Sequence, residues 1–197
     1  MKNEILLRKV AVFVKECLQS RLSLRMYFHN LGHTLLVVNG VKRIGKAEGL
    51  SKDELFILEL AAFLHDVGYT EKYWGHEEES ARIAAEFLGA NGLALEKIAL
   101  VKKCIVATKF PQHPVSKLEQ VICDADFYHF SLPDYQDYAS RLKTEWETNL
   151  NLFYTDVEWD ELNLKMLSAH VYFTDYGENI LQQKKALNIA KLKSRFE

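Results

Sequence analysis

Residues 51–68 read Ser51-Lys52-Asp53-Glu54-Leu55-Phe56-Ile57-Leu58-Glu59-Leu60-Ala61-Ala62-Phe63-Leu64-His65-Asp66-Val67-Gly68. A Ser followed three residues later by Glu is a capping box, in which each side chain satisfies a backbone N–H that the first helical turn leaves unpaired. The helix it opens, Asp53 to about Val67, is apolar almost all round. A helix apolar on every side is buried at the centre of its fold. Gly68 ends it. At that end stand His65 and Asp66, two ionisable groups at the edge of a core, where charge is costly unless it is paired or metal-bound.

Helical spacing continues on both sides. From Asn3 to Leu22, Leu6, Val10, Phe13, Val14 and Cys17 recur at three or four residues and form one apolar stripe. Asn30 is placed to cap a second helix running to about Glu48, with Leu31, Leu35, Val38 and Val41 on one side and Gly49 as its stop. Downstream, helices are expected over Glu77–Leu88, Leu95–Thr108, Lys117–His129, Asp134–Phe153, Glu158–Gly177 and Asn179–Arg195. Pro111 and Pro114 close the second of these, and Pro133 suits the first turn of the fourth. No period-2 run reads as a strand, and no repeat, low-complexity tract or linker interrupts the chain. The expected class is all-α, one domain over residues 1–197.

Composition narrows the function. The 197 residues are 48% apolar and 26% charged, with 25 basic against 27 acidic side chains. That balance offers no strongly basic surface for polymeric nucleic acid or an anionic membrane. Cys17, Cys104 and Cys123 form no CxxC pair, so neither a disulfide framework nor a zinc ribbon is expected, and buried reduced thiols are. Met1 to Leu7 has no long apolar run before a small-residue cleavage site, and no stretch approaches about 18 uncharged apolar residues. The expectation is a cytoplasmic protein. There is no GKS or GKT phosphate loop and no GxGxxG, which disfavours a nucleotide kinase or a Rossmann oxidoreductase.

Four of the seven histidines fall between residues 29 and 76. They belong to Tyr27-Phe28-His29-Asn30-Leu31-Gly32-His33-Thr34, to His65-Asp66-Val67-Gly68 and to Gly75-His76-Glu77-Glu78; a fourth segment, Asp124-Ala125-Asp126, adds carboxylates. Imidazole nitrogen with carboxylate oxygen is a borderline donor set suited to manganese, iron, cobalt, nickel or zinc. Adjacent helical residues point about 100° apart, so His65 and Asp66 can reach one ion only from the helix end, beside a turn such as Gly68 permits. His33 on the second helix and Asp124 on a later one would close the site from facing helices. Two His and two Asp leave an ion near neutral and coordinatively open.

The order His33, His65-Asp66, Asp124 on an all-helical chain resembles the HD-domain superfamily of metal-dependent phosphohydrolases. Flanking segments share the likeness: Phe28-His29-Asn30, Ala62-Phe63-Leu64 before the His-Asp pair, Gly75-His76-Glu77-Glu78 with Ser80-Ala81, Ala107-Thr108-Lys109 and Cys123-Asp124-Ala125-Asp126. The likeness spans a motif core of about residues 27–130, with C-terminal helices at 133–197. It implies an HD-like helical bundle with a metal site between core helices. It also implies His33, His65, Asp66 and Asp124 as ligands of a divalent ion (Mn, Fe, Co, Ni, Zn or Mg), one ion in preference to two, with Asp66 also orienting or deprotonating the attacking water. Asp126 is read as a hydrogen-bond acceptor behind the ligands or a helix cap, with ligation as the alternative.

Other residues keep alternatives. His76 is read as a pocket residue, a ligand of a second ion or a surface His; His29 as a structural His, a support for the ligands or a general acid. Lys72 and Lys109 are the candidates to bind phosphate, against solvated surface lysines. Tyr69, Tyr73 and Trp74 could stack a nucleobase or wall a loop. His113 lies in a loop able to cover the pocket, and His129 and His170 are read as packing or surface groups in preference to ligands. The expected function is metal-activated hydrolysis of a small phosphorylated substrate, a nucleotide or other phosphoester, with a homo-oligomer left open. The rival is a non-catalytic regulatory module that binds metal and nucleotide, and a structural adaptor with scattered ligands is a third class.

Overall fold

The computed structural model describes residues 2–196. Among them the chain forms nine α-helices and no strand: α1 (Lys2–Arg21), α2 (Leu31–Ala47), α3 (Lys52–Leu64), α4 (His76–Ala90), α5 (Leu95–Ala107), α6 (Lys117–Asp126), α7 (Tyr135–Leu150), α8 (Asp156–Ala169) and α9 (Gln182–Lys193). A 3₁₀ turn, Val67–Thr70, follows α3; a second, Phe127–Ser131, follows α6; and a wide turn, Gly177–Leu181, leads into α9. The all-α class holds. None of these helices is long and apolar enough to cross a membrane.

The caps act where the sequence places them. The Gly32 N–H donates to Asn30 Oδ1 at 2.9 Å, and both halves of the Ser51–Glu54 capping box are formed. A second capping box, Thr155 with Glu158, opens α8. The helix α3 is central as expected, with Ile57, Leu58, Leu60, Ala61 and Leu64 buried, and it is surrounded by α1, α2, α4, α5 and α6. Gly40 on α2 lies directly against Ala125 on α6, where a Cβ would come 3.0 Å from the Ala125 methyl. That close approach brings the helices carrying His33 and Asp126 together.

The main core joins α1 to α6 and also takes in Tyr172 and Leu181 from the C-terminal segment. A smaller core, Phe130, Tyr135, Ala139, Leu167 and Leu192, holds α7, α8 and α9 over the second 3₁₀ turn. All three cysteines are buried free thiols. Several sequence expectations shift, and three bear on the site. On α2, Leu35 is exposed, and Val37, Val38, Val41 and Ile44 are the buried set. The helix expected over Lys117–His129 ends at Asp126. The helix expected over Glu158–Gly177 stops at Ala169, with His170 already extended, because Phe173 and Thr174 turn their N–H groups to Asp124.

Candidate metal centre

His65 is the C-terminal cap of α3, and Asp66 precedes the 3₁₀ turn. The chain reverses there because Gly68 packs on the start of α4: its N–H donates to Ser80 Oγ at 2.8 Å, and a Cβ would collide with the carbonyl oxygen of His76. His33 arrives from the first turn of α2. The Nε2 atoms of His33 and His65 lie 3.4 Å apart. Asp66 Oδ2 lies 3.1 Å from His65 Nε2 and 3.5 Å from His33 Nε2. His33, His65 and Asp66 are each no more than 4% exposed.

The donor set suits a cation. His65 Nδ1–H donates to the Ala62 carbonyl at 2.8 Å, which fixes the ring and leaves the Nε2 lone pair for the cluster. Asp66 Oδ2 is buried without a hydrogen-bond partner, although it faces both imidazoles. Ligand atoms about 2.1 Å from one ion stand ~3.0–3.4 Å from one another, a spacing these atoms approach. Charge also holds the group together. Burial alone would push the His65 imidazole down, but the Asp66 and Asp126 carboxylates more than reverse this and raise it to about 9. Asp66 is correspondingly held below the usual carboxylate range: His65, then His33 and His29, outweigh its burial.

A family model described as the HD domain matches residues 30–131, just over half of the chain. The chain belongs to the HD-domain family. The fold agrees with that of a solved structure, a predicted HD superfamily hydrolase from an uncultured Thermotogales bacterium, at a TM-score of 0.62 and 19% identity, covering 96% of this chain and 90% of that one. A comparison with curated proteins finds no match.

In this HD domain the fourth arm of the cluster is not Asp124. Both Asp124 oxygens are taken by the chain after α8: Oδ1 accepts from Phe173 N–H at 2.8 Å, and Oδ2 from Thr174 N–H at 3.0 Å and the Thr174 hydroxyl at 2.7 Å. Asp126 takes the place instead, its Oδ1 3.1 Å from His33 Nε2 and 3.7 Å from His65 Nε2. His76 lies over the opposite side of Asp66, with Nε2 3.7 Å from Oδ1 and its ring stacked on Tyr69. Lys109 stands at the rim, paired with Glu78 at 2.5 Å. Lys72 turns to Glu79 and does not line the site.

The sequence reading missed Glu145. This fully buried carboxylate on α7 accepts the N–H groups of Phe28 and His29 at 2.8 and 3.0 Å, the His29 ring at 2.5 Å and the Tyr73 hydroxyl at 3.2 Å. Burial would lower the His29 imidazole, but the Glu145 hydrogen bond and charge leave it above its ordinary value. A lone acid beside Leu142 and Trp146 in an apolar helix face was the available signal. His129 is a packing group as expected, its Nδ1–H donating to the Asp126 carbonyl at 3.1 Å.

His29, Asp66, His76 and Asp126 open onto a cavity of about 490 Å³ that runs from the cluster towards α7 and α8. A second hollow of about 610 Å³, between α1 and α4, is an open groove lined by Val12, Phe13 and Phe87 and shares no residue with the cluster.

Proposed function

We propose that this HD domain is a metal-dependent phosphohydrolase acting on a small phosphoester. The observation that carries the reading is the convergence of His33, His65 and Asp66 donor atoms, with an unpartnered Asp66 oxygen among them, at the end of a ligand-sized cavity. His33, His65, Asp66 and Asp126 would hold the ion. A bound divalent ion would neutralise phosphoryl oxygens and lower the pKa of a water.

The protein's own groups supply the rest. Asp66, with Oδ1 turned towards His76, orients the attacking water. His76 and Lys109 face the phosphate from the mouth, and His29, backed by the buried Glu145 carboxylate, is placed to give a proton to the leaving oxygen. Which ester is taken depends on the cavity that Asp66 and Asp126 share. Tyr69, Tyr73 and Trp74 line that cavity beside the cluster.

The test is turnover by purified, manganese-loaded protein on a panel of phosphomonoesters and phosphodiesters. Asp66→Ala should abolish it. Asp126→Asn should weaken manganese binding at least about tenfold by calorimetry, whereas Asp124→Asn should lower thermal stability and leave manganese affinity near wild type. Loaded protein that cleaves nothing on the panel would refute the hydrolase reading and favour the regulatory module.

A further inference from the structure

Beyond the metal cluster the cavity changes character. Phe28 walls it beside the cluster, Leu142 and Trp146 line it from α7, and Trp159, Leu162 and Met166 line it from α8. Three of its polar side chains are already engaged. The Tyr135 hydroxyl donates to Asn163 Oδ1, Asn163 Nδ2–H donates to the Trp159 carbonyl, and the Tyr73 hydroxyl donates to Glu145. One buried donor, the Trp159 indole N–H, has no partner. Between α7 and α8 only this N–H and the Tyr138 hydroxyl are then left to replace the water lost by a ribose or the edge of a nucleobase. Apart from the histidines His29, His76 and His129, Lys109 at the rim is the one basic side chain among the residues that line the cavity. At about 490 Å³ it is roughly three times the volume of an apolar cavity that takes a benzene ring.

We propose that the substrate is the phosphoester of a hydrophobic alcohol, of the alkyl or isoprenyl phosphate kind. The hydrocarbon lies between α7 and α8, and the phosphate lies at the His33–His65–Asp66–Asp126 cluster. The proposal rests on the hydrolase reading of that cluster for its reaction, but not for its binding. In the reaction, water supplies the new P–O bond and the P–O bond to the alcohol breaks. The leaving oxygen takes a proton, giving free alcohol and inorganic phosphate. The cavity and the cluster are one space, since Asp66 and Asp126 line both, so the tail has a continuous path from the phosphate site.

Two measurements test it on the full manganese-loaded chain. Calorimetry with methyl-, butyl-, octyl- and decylphosphonate, which cannot be hydrolysed, reads binding alone; Kd should fall roughly three- to fourfold per added methylene until the cavity is full. Leu142→Trp and Met166→Trp, on different helices and each checked for a native unfolding transition, should flatten that slope by occupying the space. Turnover is then compared between octyl phosphate and 5′-nucleoside monophosphates, with octyl phosphate expected to have the higher kcat/KM. Chain-length-independent binding, or nucleotides preferred over every alkyl ester, overturns the proposal while leaving a phosphohydrolase in place. Steep chain-length dependence without turnover of any ester supports the hydrocarbon site and removes the hydrolase reading.

Discussion

Asp124 and Asp126 stand two residues apart on α6, about 200° around the helix axis, so they serve opposite sides. Asp126 faces His33 and His65, and Asp124 pins the extended chain at Phe173 and Thr174. The sequence shows two carboxylates, and only the phase of the helix against α2 says which one reaches the cluster. Lys185 raises a similar question of environment. Its amine is fully buried, donates to the His170 carbonyl and lies 5.2 Å from the centre of the Tyr172 ring. Burial lowers its pKa to about 8, against the opposing pull of Asp124. Between about pH 8 and 10.5 the unfolded chain therefore holds more protons than the folded one, and this residue makes stability rise with pH across that window. In urea unfolding at pH 7.5, 9 and 10, wild type should gain on Lys185→Met by on the order of 2 kcal/mol in total. A gap that does not change with pH would contradict it.

At the scale of elements, the ends of helices carry the chemistry. The helix α3 presents its end to the cluster only because it stops at Leu64, which lets His65 and Asp66 turn together towards α2. Capping and periodicity predicted where helices start better than where they stop. The apolar pattern runs on past Leu64 and past Ala169, while the actual ends are set by Gly68 against α4 and by Asp124 against residues 173–174. Gly177 belongs to that second device. A Cβ there would collide with Asp124 Oδ2 and the Tyr172 side chain. Gly177→Ala should therefore cost about 1–3 kcal/mol, read as a lower Tm, with manganese affinity retained because the cluster lies on the other side of α6.

At the scale of the whole molecule, two apolar cores are tied across their boundary. Tyr172 and Leu181 sit in the main core, and Asn188 on α9 donates to the carbonyls of Phe130 and Leu132. Unfolding should accordingly be one transition. Far-ultraviolet circular dichroism, which follows all nine helices, should coincide with tryptophan fluorescence, which is weighted to Trp146 and Trp159 around the cavity. An earlier fluorescence transition would mean that α7 and α8 come away separately. The sequence by itself determined the helical class, the caps at Asn30 and Ser51, the central burial of α3 and the His33 and His65-Asp66 parts of the cluster. These depend on spacing along one helix or on adjacent residues, which a linear pattern records. Only the tertiary structure decided that Asp126 faces the cluster, that Glu145 holds His29 from more than 100 residues away, and that α7 and α8 enclose an apolar cavity. Each of these depends on the rotation and approach of one helix against another, which local periodicity does not encode.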